Sequence, residues 1–267
     1  MNAPIGVIDS GVGGLTVAKE IMKLLPNEQI YYIGDNARCP YGPRPLSQVR
    51  KYTWQMANAL MKKNIKMLVI ACNTATAAAL YSLQKRLPIP VIGVIFPGAR
   101  AAIKSSSTKR IAVLGTSGTV QSGAYEKAIK SLVSSSHVVQ LACPRFVPLV
   151  ESDEYEGDFA RRLVRETLAC LAEESFDTAI LGCTHYPLLQ GFVEETLGSG
   201  VCVLSSAQET AKDVEQHLAF NHQFASRQKP PVHHFYTTGS GPIFADIIRK
   251  WLAIEEPLIH SIRFSKA

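Results

Sequence analysis

Short β-branched runs at 5–8, 67–71, 90–95, 110–114, 138–142, 177–181 and 201–205 end near Gly, Ser, Asp or Cys, and each leads into a segment of helical character. That alternation leaves few folds open. Parallel strands need a crossover of about a dozen residues or more, and helices are the usual crossover. The chain is therefore predicted to be α/β, built of mostly parallel sheet flanked by helices. Residues 161–174 (RRLVRETLACLAEE) show the clearest helical period, with Leu163, Leu168 and Leu171 as its apolar marks. In such folds ligands gather at the carboxyl ends of the strands. The residues just after each run are the candidates for chemistry.

The pattern occurs twice. Ile5-Gly6-Val7-Ile8-Asp9-Ser10-Gly11 is echoed by Ile111-Ala112-Val113-Leu114-Gly115-Thr116-Ser117, and Met67 through Thr74 by Thr178 through His185. Val7 and Val113 are 106 positions apart, Cys72 and Cys183 are 111 apart, and the near-equal offsets describe one duplicated unit. Two similar lobes related by a pseudo-twofold axis are expected, with the active site between them. A boundary fits at Pro97-Gly98, where a strand ends before the polar stretch 104–109. After about Ala207 come another helix, a strand-like His234-Phe235-Tyr236 and an amphipathic helix around Phe244 to Leu252. The expected division is 1–97 plus 208–267 for the lobe carrying Cys72, and 98–207 for the lobe carrying Cys183.

Composition removes several classes. With 267 residues and 46% hydrophobic content the chain can bury one large core or two smaller ones. No apolar run reaches about 18 residues and the start lacks a signal-peptide pattern, so a cytoplasmic protein with no membrane partner is expected. The six cysteines (39, 72, 143, 170, 183 and 202) form no CxxC pair, and no HExxH occurs, so reduced thiols and no metal are expected. The formal charge of +6 comes from Lys and Arg scattered in runs no longer than two, which suits small anionic substrates and gives no ground for nucleic-acid binding.

Cys72 and Cys183 each follow a buried strand and precede a predicted helix, where the dipole and free N–H groups would lower a thiol's pKa. Cys170, in a helical pattern, and Cys202, in a strand, read as buried structural residues. Cys39 and Cys143 precede prolines and read as loop or pocket residues. Two thiols at equivalent points of a duplicated unit suit one reaction type in particular. Inverting a stereocentre by proton transfer needs a base on one face and an acid on the other, and the reverse reaction exchanges their roles. A cysteine hydrolase would leave the second thiol unexplained. The glycine-rich stretch Asp9 to Leu15 also allows a phosphate- or nucleotide-binding turn, a weak signal without Gly-Lys-Ser/Thr.

Ile8-Asp9-Ser10-Gly11-Val12-Gly13-Gly14, Gly34-Asp35 with Pro40-Tyr41-Gly42, Ala71-Cys72-Asn73-Thr74-Ala75 and Gly182-Cys183-Thr184-His185-Tyr186-Pro187 together resemble the bacterial glutamate racemases of the aspartate/glutamate racemase family. The likeness runs from about residue 5 to 210. It implies Cys72 and Cys183 as the acid/base thiols, with Asp9 and His185 as their polar partners. Glu151 would be a further acidic group near the second thiol. It also implies that Asp9, Ser10, Tyr41, Gly42, Asn73, Thr74, Thr184 and His185 hold the substrate. The resemblance implies a cofactor-independent isomerase acting on glutamate and supplying D-glutamate for peptidoglycan and cell-wall biogenesis, with a homodimer possible. Aspartate racemase, with the same two-thiol logic, is the alternative.

Overall fold

The computed structural model describes residues 2–226 and 230–264. Among these, the strands are β1 (Ile5–Asp9), β2 (Ile30–Gly34), β3 (Met67–Ile70), β4 (Val91–Gly93), β5 (Arg110–Gly115), β6 (His137–Ala142), β7 (Thr178–Gly182), β8 (Cys202–Ser205), β9 (His234–Thr237) and β10 (Leu258–Ser261). They form two wholly parallel sheets, ordered β10-β9-β2-β1-β3-β4 and β6-β5-β7-β8. The order β2-β1-β3-β4 in the first is the order β6-β5-β7-β8 in the second, so the repeat in the sequence is a repeat in topology. The predicted fold of two sheet-and-helix lobes is what the chain adopts.

The helices are α1 (Leu15–Leu24), α2 (Leu46–Met61), α3 (Asn73–Arg86), α4 (Ile95–Ser105), α5 (Ser117–Ser122), α6 (Ala124–Leu132), α7 (Phe146–Glu151), α8 (Gly157–Leu168), α9 (Gln190–Leu197), α10 (Ala207–Phe220) and α11 (Gly241–Leu252). They cover both faces of each sheet, which is why the central strands read as continuous apolar runs. Alternate residues serve opposite cores: Val7, Met67 and Val69 pack with Ala18, Val214 and Phe244, while Ile8, Leu68 and Ile70 pack with Met56, Leu60 and Leu83. In the second lobe Ala112, Leu114 and Leu181 face Phe146 and Leu163, and Val113 and Ile180 face Ala99 and Tyr125. Trp251 on α11 packs against a core of each lobe.

The returning tail completes the first sheet. Strand β9 pairs with β2, from Tyr31 opposite His234 to Gly34 opposite Thr237, and β10 adds beyond it. The chain on its way back is pinned by a buried ion pair, Lys66 Nζ to Glu28 at 2.6 Å. Lys66 Nζ also donates to the Gln223 carbonyl at 2.6 Å, and Glu28 accepts the Ala225 N–H at 2.7 Å.

Several local expectations are corrected. Strand β2 (IYYIG) had no counterpart among the sequence runs, because two tyrosines interrupt its aliphatic pattern. Pro97 and Gly98 do not lie in a loop but in the first turn of α4, where a proline's missing N–H costs no helical bond. The helix expected over 161–174 starts at Gly157 and gives way at Ala169–Leu171 to a 3-10 turn. Cys170 on that turn and Cys202 at the start of edge strand β8 are exposed rather than core, whereas Cys143 is buried against the α7 and α8 side of the second lobe.

Candidate active site

The carboxyl ends of β1 and β3 face those of β5 and β7 across the gap between lobes. Of the residues singled out by sequence, Ser10, Tyr41, Gly42, Cys72, Asn73 and Thr74 line a small, nearly closed cavity of about 10 Å³ from the first lobe. Cys183, Thr184 and His185 close it from the second. Asp9 and Glu151 stand behind this lining, each bonded to a residue in it. Larger open depressions lie elsewhere, one by Arg38 and Phe264 and one by Tyr155 and Trp251, but neither contains a thiol.

Glycines allow the lobes to come this close. A Cβ on Gly13 would lie 2.4 Å from Thr184 Oγ1 and 2.5 Å from His185 Nδ1, closer than real contacts permit. The glycine-rich turn after β1 is thus a seat for the opposite lobe. Across the same boundary Thr184 Oγ1 donates to Asp9 Oδ2 at 3.3 Å, and Gly118 N donates to the Gly42 carbonyl at 2.8 Å.

Cys72 caps α3, its sulfur accepting the Ala75 N–H at 3.4 Å. Its thiol was expected to be acidified by that helix. It is instead pushed up to about 12, because burial, with Asp9 adding, outweighs the bonds from Ala75 and Ser10. Cys183 has no such helix behind it. Pro187 cannot give the N–H that an α-helix would direct to the Cys183 carbonyl, and the chain makes the tighter Tyr186 N to Cys183 O bond at 3.2 Å before the 3-10 helix Tyr186–Leu189. What Cys183 has is His185, whose Nδ1 lies 3.8 Å from its sulfur.

His185 is strongly tuned by its surroundings in the second lobe. Burial pulls its pKa down, yet the bonds to Cys183 and Glu151 and their charges raise it to about 10. Its Nε2 lies 2.6 Å from Glu151 Oε1, and although burial acts to raise the Glu151 carboxyl, His185 holds it below its ordinary 4.5. The two together are an imidazolium and a carboxylate at neutral pH. The linkage has a definite sign. The raised His185 contributes stability that is full below 6.5 and is lost as pH climbs through about 10, while the depressed Glu151 contributes above 4.5 and is lost as pH falls below it. The stability difference between the wild type and His185→Gln should peak between those limits and shrink on both sides. Urea midpoints measured across pH check this, and a difference independent of pH would contradict the ion pair.

In the first lobe, burial raises the pKa of Asp9 despite the nearby His185. The Tyr41 phenol donates to Asp35, which also receives Arg38 Nε at 2.7 Å and Thr238 Oγ1 at 2.9 Å. The loop carrying Tyr41 and Gly42 is therefore anchored partly by the residue that follows β9.

Three residues around the site were missed by sequence reasoning: Pro40, Thr116 and Val147 line the cavity. Cys39, read as a loop or pocket residue, reaches Glu151 Oε1 at 3.7 Å. Thr116 was within reach, since it stands opposite Ser10 in the repeat. It joins Thr74 at 2.8 Å and Thr119 at 3.1 Å in a buried cluster of hydroxyls. Among the described residues no group of three or more His, Cys, Asp and Glu side chains is arranged to hold a metal ion, and no helix is long and apolar enough to cross a membrane.

Comparison with known proteins agrees with this architecture. A profile of the Asp/Glu/hydantoin racemase family matches residues 5–214. A glutamate racemase of Lysinibacillus sphaericus is 63% identical over 262 residues, covering 98% of this chain and 99% of that protein. One from Listeria monocytogenes serotype 4a (strain HCC23) is 52% identical over 266 residues, the full length of both. Among solved structures, glutamate racemase isoform RacE1 from Bacillus anthracis superposes with a TM-score of 0.94 at 46% identity, covering 98% of this chain and 97% of that one. The Francisella tularensis glutamate racemase, solved in complex with D-glutamate, gives 0.91 at 31% identity with 98% of each chain covered.

Proposed function

The chain belongs to the Asp/Glu/hydantoin racemase family, and from that membership we propose that it interconverts L- and D-glutamate by proton transfer at Cα between Cys72 and Cys183. It needs no organic cofactor or metal for this, and its product D-glutamate serves peptidoglycan synthesis. One observation carries the reading: two thiols at equivalent strand ends of repeated sheets line one cavity from opposite lobes. The choice of glutamate is supported by the relatives named glutamate racemase and by the D-glutamate bound to the Francisella protein.

In each turnover one sulfur, as thiolate, takes the Cα proton, and the bonding pair left on carbon delocalises into the adjacent carboxylate. The other sulfur, as thiol, then delivers its proton to the opposite face. Thiol and thiolate have exchanged places at the end, so the enzyme is set for the reverse reaction until solvent resets it. Asp9 beside Cys72 and His185 beside Cys183 are the groups able to exchange protons with the sulfurs. The substrate ammonium, a cation brought into the same buried space, favours the thiolate. Asn73, Thr184, Ser10 and the backbone at Tyr41 and Gly42 hold the carboxylates, where donors aimed at developing charge lower the barrier most.

Isotope transfer tests the proposal. With L-glutamate in deuterated water and no added cofactor, the first D-glutamate formed should carry deuterium at Cα while the remaining L-glutamate stays largely unlabelled, and the same should hold from D-glutamate. Mass spectrometry of each enantiomer at initial rates reads this. Protium retained in the inverted product would mean a single shuttling base. Turnover of aspartate in place of glutamate would move the substrate assignment and leave the two-thiol chemistry standing.

A further inference from the structure

Asn73 is buried at the N-terminus of α3, and its Nδ2 has no hydrogen-bond partner. A buried amide nitrogen is not left so without cost, and this residue lines the cavity. Its other end is fixed from the opposite lobe. The phenol of Tyr125, on α6 and wholly buried, donates to Asn73 Oδ1 at 2.8 Å. Ser206, at the start of α10, stands beside that hydroxyl, both of them against Gly98. The ring sits in a narrow slot: a Cβ on Gly98 would come 3.1 Å from the Tyr125 hydroxyl, and one on Gly182 would come 3.1 Å from ring carbon Cε2.

The phenol hydrogen goes to Asn73, and an oxygen is the only end of the amide that can accept it. The geometry points to Tyr125 as a positioning residue that orients the Asn73 amide so that its Nδ2 donates to a substrate carboxylate in the cavity. Tyr125 touches no substrate itself. It acts from the second lobe on a first-lobe ligand, so the amide is aligned only while the lobes are together. The inference rests on the cavity being the glutamate site.

A double-mutant cycle tests it with Tyr125→Phe, Asn73→Ala and the pair, each followed by steady-state racemisation in both directions and by thermal unfolding. Asn73→Ala should lower kcat/KM about 30-fold and Tyr125→Phe about tenfold, as expected for bonds to a charged group, with KM carrying most of the Tyr125 effect. The double variant should match Asn73→Ala alone, because the phenol has nothing left to orient. Effects that multiply, or wild-type kinetics in Tyr125→Phe, would reduce Tyr125 to a packing residue and overturn the proposal. If Asn73→Ala itself had no effect, the reading of the cavity as the substrate site would fail instead. Should Tyr125→Phe not fold, Ser206→Ala keeps the ring in place. It should give about a threefold loss that vanishes in the Asn73→Ala background, and a loss persisting there would count against the proposal.

Discussion

Cys72→Ala and Cys183→Ala are each expected to lower kcat by about 10³-fold or more in both directions, since a positioned acid or base contributes roughly 10² to 10⁴. In the proposed mechanism every turnover uses both sulfurs, one to take a proton and one to give it. Removing either leaves one face of Cα without a partner whichever enantiomer is bound. Neither thiol has a neighbour free to take its place, for Asp9 is tied to Thr184 and His185 to Glu151. The enantiomers are equal in free energy, so any loss in kcat/KM must be the same from L- and from D-glutamate, which checks the assay itself. Chiral chromatography of the product measures the rate, and circular dichroism confirms that the variants fold. A variant retaining turnover within tenfold of the wild type would sink the two-thiol assignment.

Lys66→Ala is expected to destabilise the protein by about 3–5 kcal/mol, the usual loss when one member of a buried ion pair is removed. Both side chains are only 2% exposed, so Glu28 would be left charged in a space that water does not reach. The change lies at the amino end of β3, away from the carboxyl ends that carry the proposed site, so kcat of the folded fraction should hold. Replacing both residues by methionine should restore much of the loss, because the desolvation cost of two charges disappears with them. Urea unfolding of the three variants measures it, and a loss under 1 kcal/mol for Lys66→Ala would show the pair to be solvated.

What could be read from sequence was whatever rests on local pattern or on the repeat. Strands buried on both faces, such as Met67–Ile70 and Arg110–Gly115, announce themselves as apolar runs, and the matching of Cys72 with Cys183 comes straight from the duplication. What could not be read depends on contacts between distant segments. The Glu151 to His185 bond joins the end of α7 to the turn after β7, 34 residues apart. Tyr125 reaches Asn73 only because the lobes fold over one another. The expected acidification of Cys72 failed for a related reason. A helix terminus is visible in sequence, but the burial that overrides it is a property of the assembled interior.

The pairing of β9 with β2 also bears on how the protein comes into being. Strands of the second sheet all lie between residues 110 and 205, whereas the first sheet joins Tyr31 to His234. Translation usually lets the segment made first fold first, but here that order is reversed. When residue 205 has left the ribosome the later-made sheet has all its strands, while the earlier one still presents β2 as a bare edge. Such an edge is a template for pairing with other chains, and it stays open for the time needed to make about thirty more residues. Newly made protein is thus open to pairing at this edge until β9 has been made and covers it.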